Sequence, residues 1–186
     1  RVVALAHRVA QHPASRARGR VPAASAVSRV ARSRRRDARA RARRAAHAWR
    51  WDKLSNFPKP TIAMVHGFCF GGGFTPVIAC DFAFAADDAV FGLSEVNWGI
   101  IPGGLVAWAV TQVMNYRDAI YYSVSGEQFS GAEAGQMKFV NKSFPLSDLH
   151  AQTLAFARKL EIKSPAAVRY TKEAVRSVRG MTQLQA

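Results

Sequence analysis

The clearest indication of the fold class is the stretch of residues 61–95, TIAMVHGFCFGGGFTPVIACDFAFAADDAVFGLSE. The stretch opens with the β-branched apolar run 61–65, which predicts a buried strand. It passes through three consecutive glycines to the apolar run 74–79, which predicts a helix. The short runs 82–86 and 89–95 then predict two further strands. Strands that alternate with helices in this way indicate an α/β layer fold.

The rest of the chain extends this pattern and limits the class of protein. Helices are predicted at 105–114, 117–124, 131–137, 147–163 and 165–178, with a short strand at 139–144. The 186 residues, 49% of them hydrophobic, suit one domain with a real core. No run of 18 apolar residues predicts a transmembrane helix, and the two cysteines match no disulfide framework or paired metal spacing. A reducing, cytoplasmic setting is therefore expected.

The positive charge of the chain is concentrated in its first 50 residues. This leader carries 15 arginines, no lysine and one acid, Asp37, a net charge of +14, whereas residues 51–186 carry +1. Alanine supplies another 15 residues of the leader, and large apolar side chains are nearly absent. Because such a segment buries too little apolar surface to offset the entropy of folding, we predict a disordered leader over 1–45 and a folded domain over 46–186.

Three interpretations of the leader stay open. A basic arm could bind nucleic acid or an anionic surface by releasing counterions from phosphates. It could equally be a solvated tail or a targeting segment. Because arginine, alanine, glycine and proline have GC-rich codons, it could also be an artefact of a frame change, and we favour the tail or the artefact. Its last part, from about Arg34, contains helix formers that predict a helix ending near Asn56.

The glycine triplet, Gly71 to Gly73, lies where the first strand turns into the first helix. Without side chains, its backbone N–H groups can approach a ligand closely. No Lys-Ser/Thr pair follows as in a P-loop, and the spacing is not that of GxGxxG. The alternative anion is an oxyanion that develops during a reaction. Taken alone, the triplet is equally compatible with a tightly packed turn.

Glu95 is the second candidate for chemistry. It ends a predicted strand among apolar residues, with Phe91 and Leu93 before it and Trp98 and Ile101 after it. Apolar surroundings disfavour the charged form of a carboxyl, which suits the group to exchange protons near neutral pH. An exposed carboxylate in a turn is the alternative interpretation.

These pieces together resemble one known family. The matching segments are CFGGGFTP (69–76), ACD (79–81), FGLSEVNWGIIP (91–102) and YYSVSGEQFSG (121–131). They closely resemble the crotonase, or enoyl-CoA hydratase/isomerase, superfamily over about residues 49–178. Within that superfamily the chain looks most like the hydroxycinnamoyl-CoA hydratase-lyases of phenylpropanoid degradation. The resemblance implies a partial crotonase-like ββα spiral core with C-terminal helices.

The resemblance also implies roles for particular residues. The backbone N–H of Gly72 matches half of the oxyanion hole that holds a thioester enolate, and Glu95 matches the catalytic acid–base group. Many hydratases carry a second catalytic glutamate 20 residues before this one, at the position of Thr75. The hydratase-lyase branch has a small hydroxyl residue there instead, and this sequence follows that pattern. Thr75 could orient a catalytic water or merely cap the helix. Three further residues are candidates for substrate binding: Gly71, Trp98 and Ile101. For Trp98 and Ile101, packing in the core is an equally good alternative.

The implied reaction is hydration of feruloyl-CoA, or a related hydroxycinnamoyl-CoA, followed by retro-aldol cleavage to a vanillin-type aldehyde and acetyl-CoA. The alternatives are a simple enoyl-CoA hydratase or isomerase, an inactive fragment, and nucleic-acid binding through the leader. Because the CoA thioester is the substrate, we expect no cofactor and no metal. The expected partners are an acyl-CoA and, from the family, further copies in a trimer or hexamer, with no membrane and no nucleic acid.

The sequence departs from the family pattern at both ends. The family has a second oxyanion amide in an upstream loop resembling AGMDL, and nothing in residues 1–48 resembles that loop. Family members also continue with a helical tail beyond the position of Ala186. We therefore expect a chain that is incomplete at both ends. Loss of one oxyanion donor typically lowers a rate by about 10²–10³-fold.

Overall fold

The strands of two sheets alternate along the chain with helices. The structure, a computed structural model, describes residues 3–7, 26–103, 105–182 and 184–185. Within those residues the strands are β1 (Val3–His7), β2 (Thr61–Val65), β3 (Phe68–Phe70), β4 (Phe82–Ala86), β5 (Val90–Gly92), β6 (Gln128–Ser130) and β7 (Lys142–Phe144). The α-helices are α1 (Ala26–His47), α2 (Phe74–Ala79), α3 (Val106–Thr111), α4 (Tyr116–Ser125), α5 (Gly131–Gln136), α6 (Leu146–Glu161) and α7 (Pro165–Ser177). A π-helical turn covers Ala48–Lys53, and 3₁₀ turns cover Gly71–Gly73 and Ser94–Trp98.

The first sheet is parallel, and the second sheet is mixed. Strands β1, β2, β4 and β7 lie side by side in that order, with Ile62 of β2 opposite Phe82 of β4. In the second sheet β3 and β5 are parallel, whereas β5 and β6 are antiparallel. Along the chain, β2 lies in the first sheet and β3 in the second, and helix α2 follows. The next two strands repeat this order, with β4 in the first sheet and β5 in the second. This is the ββα order that was expected, and the predicted α/β class is confirmed.

Some predicted elements have the expected bounds and others do not. Three agree with the structure: 61–65, 74–79 and 82–86. The prediction of a strand over 89–95 is wrong beyond Gly92, because the chain turns into the 3₁₀ segment Ser94–Trp98. Strands β3 and β6 were not predicted, since three residues are too few to establish a period of two.

Helix α1 lies largely within the leader for which disorder was expected. Alanine and arginine are both strong helix formers, which favours a helix even where large apolar side chains are absent. Arginines 34, 35, 36, 39, 41 and 44 are exposed along it, so the interpretation as an anion-binding arm keeps its physical basis. Strand β1 also lies within this leader. The predicted boundary at 45/46 falls inside α1 and stays a prediction, and the predicted disorder of residues 1–2 and 8–25 lies outside the described residues.

A cluster of phenylalanine rings fills the core beside the glycine turn. Phe74, directly after the turn, is fully buried, and its ring centroid lies 5.1 Å from that of Phe139 and 6.1 Å from that of Phe91. Phe91 of β5 stacks on Phe129 of β6 with 5.3 Å between centroids. Because Phe74 begins α2, these contacts fix the start of α2 relative to β5.

Asp81 joins α7 to the amino end of β2. Its two carboxylate oxygens accept from Lys172 Nζ at 2.7 Å and from Arg176 Nη2 at 2.8 Å. The backbone N–H and the hydroxyl of Thr61 donate to the same carboxylate at 2.8 and 2.9 Å. The side chains of Asp81 and Lys172 are only 10% and 11% exposed and that of Arg176 is 33% exposed, so this is a partly buried ion-pair network whose carboxylate is well supplied with donors. It lies at the opposite end of β2 from the connection that leads to the glycine turn.

Candidate active site

Two parallel strands bring the glycine turn and Glu95 to one edge of the second sheet. β3 and β5 pair in parallel register, with Phe70 opposite Gly92. Gly71 follows the last residue of β3, and Glu95 comes three residues after the end of β5. Because parallel strands end at the same edge of a sheet, both residues leave the sheet on the same side. Sequence reasoning placed the two residues together only through the family resemblance.

The glycine turn begins with N–H groups that find no acceptor within the turn itself. Gly71 has φ of +47°, a conformation that side chains rarely adopt. The N–H of Phe74 donates to the Gly71 carbonyl, as expected for a 3₁₀ turn. The N–H groups of Gly71 and Gly72 precede the first such bond, so the turn itself supplies them with no acceptor. Gly72 is exposed, so a ligand can reach its backbone.

The Glu95 carboxyl lies directly against this turn. A Cβ built on Gly71 would lie 2.6 Å from Glu95 Oε1 and 3.4 Å from the carboxyl carbon, so the carboxyl occupies the space beside the glycine. Its other oxygen, Oε2, is buried and has no hydrogen-bond partner in the described part of the chain. Burying a polar atom without a hydrogen-bond partner costs free energy, so a ligand that forms a hydrogen bond with this oxygen would bind favourably there. The site therefore combines a group that can move a proton with backbone donors that can hold negative charge.

The other predicted site residues lie in different settings. Thr75 is 4% exposed in the first turn of α2, and the described hydrogen bonds give its hydroxyl no partner. Trp98 and Ile101 follow Glu95 along the chain and are 78% and 83% exposed. A water-orienting role for Thr75 and substrate contacts for Trp98 and Ile101 stay predictions.

Sequence reasoning missed a contact that ties the Glu95 turn to α4. The side-chain amide of Asn97 donates from Nδ2 to the carbonyl of Gly126 at 3.0 Å. Gly126 ends α4 with φ of +68°. A glycine after the predicted helix 117–124 is a typical C-terminal cap, but the sequence carries no sign of which side chain meets it.

Metal-ligating clusters, reactive thiols and cavities would each indicate a kind of chemistry other than that of this site. Among the described residues, no three His, Cys, Asp or Glu side chains are grouped to hold a metal ion. Burial raises the pKa of the Cys69 thiol to about 12 and that of Cys80 to about 11. Cavities of about 250 and 460 Å³ lie beside α7, and neither is lined by the glycine turn or by Glu95. None of the helices that the structure describes has both the length and the apolar character to span a bilayer.

Known proteins resemble this chain over most of its length. The model of the family described as enoyl-CoA hydratase/isomerase matches residues 28–186. A hydroxycinnamoyl-CoA hydratase-lyase from Pseudomonas fluorescens is 47% identical over 140 residues, which are 75% of this chain and 51% of that protein. A probable enoyl-CoA hydratase from Mycobacterium bovis is 34% identical over 125 residues, which are 67% of this chain and 49% of that protein.

Solved structures resemble the fold as well. An enoyl-CoA hydratase from Polaromonas sp. JS666 has a TM-score of 0.73 at 30% identity, covering 86% of this chain and 62% of that chain. Subunit I of an enoyl-CoA hydratase from Geobacillus kaustophilus HTA426 has a TM-score of 0.68 at 33% identity, covering 73% and 52%. The chain therefore belongs to the enoyl-CoA hydratase/isomerase, or crotonase, family. It spans about half the length of the curated relatives it matches.

Proposed function

We propose that this chain carries the acid–base group and one oxyanion donor of a site that adds water to an α,β-unsaturated acyl-CoA. The observation that carries the proposal is the Glu95 carboxyl, which lies against Gly71 and whose buried Oε2 has no partner among the residues that the structure describes. The exposed backbone of Gly72 is the neighbouring donor. Membership in the crotonase family supports a CoA thioester as the substrate class.

Hydration uses Glu95 twice. Its carboxylate takes a proton from water as the water oxygen bonds to the β-carbon, and the electron pair of the double bond moves onto the thioester oxygen. The Gly72 N–H donates to this enolate oxygen and stabilises the charge that forms there. The protonated Glu95 then returns its proton to the α-carbon. The sum is one water added to one double bond, with Glu95 again a carboxylate.

The finer proposal is that the hydrated product is then cleaved. Glu95 removes the proton of the β-hydroxyl, the bond between the α- and β-carbons breaks, and an aldehyde leaves. The electron pair of the broken bond forms the enolate of acetyl-CoA at the same oxyanion donor, and Glu95 protonates its α-carbon. With feruloyl-CoA as the substrate, the products are vanillin and acetyl-CoA.

Two observations support a hydroxycinnamoyl-CoA over a simple enoyl-CoA. The relative from Pseudomonas fluorescens with 47% identity is a hydroxycinnamoyl-CoA hydratase-lyase. Position 75 holds threonine, as the resemblance to the hydratase-lyase branch implies, so Glu95 is the one carboxyl proposed for both steps. We propose no cofactor, because the steps above need only proton transfers and an oxyanion donor. Assembly into a trimer or hexamer and a cytoplasmic location belong to the same proposal.

Incubation of the full chain with feruloyl-CoA tests the proposal. Chromatography should detect vanillin and acetyl-CoA in equal amounts. Because a positioned acid–base group contributes about 10²–10⁴-fold, Glu95→Gln should lower kcat by that factor. Glu161→Gln, a change in an exposed carboxyl at the end of α6, is the matched control and should keep the wild-type rate.

Each alternative has its own result in this experiment. Accumulation of the β-hydroxyacyl-CoA without aldehyde would replace the lyase by a simple hydratase. If the folded wild-type chain formed neither the β-hydroxyacyl-CoA nor the aldehyde, the proposed activity would be contradicted. An unchanged rate in Glu95→Gln would contradict it as well.

A further inference from the structure

The segment that follows Glu95 is largely exposed in the part of the chain that the structure describes. Four of its large apolar side chains are between 41% and 83% exposed: Val96, Trp98, Ile100 and Ile101. Its described backbone hydrogen bonds are local, from Gly99 N–H to Val96 O and from Ile100 N–H to Glu95 O. Such bonds define the shape of the turn, but they do not fix its position relative to the rest of the protein.

Among the described hydrogen bonds, the one from the Asn97 side chain joins this segment to another part of the fold. Its side-chain Nδ2 donates to the Gly126 carbonyl, 29 residues away in the chain, at 3.0 Å. The amide also packs on the glycine itself, because a Cβ built on Gly126 would lie 2.8 Å from the amide carbon of Asn97. With φ of +68°, Gly126 is in a conformation that favours glycine, and α4 ends there.

Glu95 thus lies midway between two anchors. Leu93, two residues before it, is fully buried and continues from β5 into the core. Asn97, two residues after it, is bound to the end of α4. If the second anchor is lost, the turn is held from one side only, and the contact of Glu95 Oε1 with Gly71 loosens.

We propose that Asn97 is a positioning residue for Glu95, acting through the carbonyl of Gly126. This inference deepens the proposed function, on which its kinetic part rests. Asn97 does not exchange protons with the substrate in this scheme. It keeps the carboxyl within reach of a molecule bound at the glycine turn, where a displacement of about 1 Å can cost about 10²-fold in rate.

Kinetics of Asn97→Ala test the inference in the full chain. We expect kcat with feruloyl-CoA to fall by about 10–100-fold, with KM changed less than about threefold, because the acyl-CoA still binds but the proton donor is misplaced. Asn115→Ala is the matched control, since Asn115 caps the other end of α4 by accepting from the Asp118 N–H. That variant should lower the Tm and leave kcat unchanged. Equal kcat losses in both variants would reduce Asn97 to a structural role and overturn the inference.

A double-mutant cycle tests the route through Gly126. Gly126→Ala displaces the Asn97 amide and should reproduce the kcat loss of Asn97→Ala. If the two residues act as one unit, the double variant loses no more kcat than the larger single loss. Losses that multiply would show independent effects and contradict the proposed route.

Hydrogen exchange separates this inference from the proposed function. Amides of residues 93–101, measured by mass spectrometry, should exchange faster in Asn97→Ala and at the wild-type rate in Asn115→Ala. This readout needs no turnover, so it decides the inference even if the wild-type chain does not convert feruloyl-CoA. Unchanged exchange across 93–101 in Asn97→Ala would overturn it.

Discussion

Replacing Gly71 with alanine perturbs the contact on which the candidate site depends. Gly71→Ala places a methyl group 2.6 Å from Glu95 Oε1, whereas ordinary contact begins at 3.4 Å, so the carboxyl has to move by about 0.8 Å. The backbone adds strain, because φ is +47° and this left-handed conformation costs an L residue about 1–2 kcal/mol. The substitution therefore acts on stability and on the site through two separate causes.

Two measurements distinguish these causes. Urea denaturation followed by circular dichroism should give a free energy of unfolding lowered by about 1–2 kcal/mol. Turnover of feruloyl-CoA, followed by the loss of absorbance of the conjugated thioester, should fall in kcat by about 10–100-fold. That factor follows from the shift of the carboxyl, since about 1 Å of misplacement can cost about 10²-fold.

Gly67 provides the matched control within the same chain. Its φ is +72°, and a Cβ built there meets nothing within 4 Å. Gly67→Ala should therefore show a similar loss of stability and keep its kcat. Equal kcat losses in the two variants, or a wild-type kcat in Gly71→Ala, would contradict the close contact between the Glu95 carboxyl and Gly71.

Two further predictions concern the buried groups away from the site. Asp81→Asn removes the charged partner of Lys172 and Arg176, and the free energy of unfolding in urea should fall by about 1.5–3 kcal/mol, as expected when hydrogen bonds between charged, partly buried groups are lost. A loss below about 1 kcal/mol would mean that the pair behaves as an exposed one. The thiols of Cys69 and Cys80, whose pKa values burial raises to about 12 and about 11, should resist alkylation by iodoacetamide at pH 8 until the chain unfolds. Rapid labelling of the native chain would contradict their burial.

The elements of the site could be predicted from local sequence patterns. The bounds of β2 and α2 follow from the β-branched run 61–65 and the apolar run 74–79, because each run is long enough to indicate its own structure. Glu95 stood out because its sequence neighbours are apolar. The family resemblance then added roles for Gly72 and Thr75 that the residue pattern alone left open.

The neighbours of the site residues could not be predicted in the same way. β3 and β6 are three residues long and leave no periodic signal, so the parallel pairing that brings Gly71 to Glu95 was hidden. The hydrogen bond from Asn97 to Gly126 joins residues 29 positions apart, and neither residue type marks the other as its partner. Long-range contacts of this kind depend on how the elements pack and not on local propensity.

Local sequence patterns were enough to predict the α/β class, the strand 61–65 and the helix 74–79, and together with the family resemblance they indicated Glu95 as the candidate acid–base group. The contact of this carboxyl with Gly71, and the burial of its Oε2 without a partner among the described residues, could be seen only in the three-dimensional structure. The cause is that a local sequence pattern specifies one helix or strand, through the backbone preferences of its residues and through the face that carries its apolar side chains. The distance between two side chains on different elements is set only when the strands pair and the core closes around them.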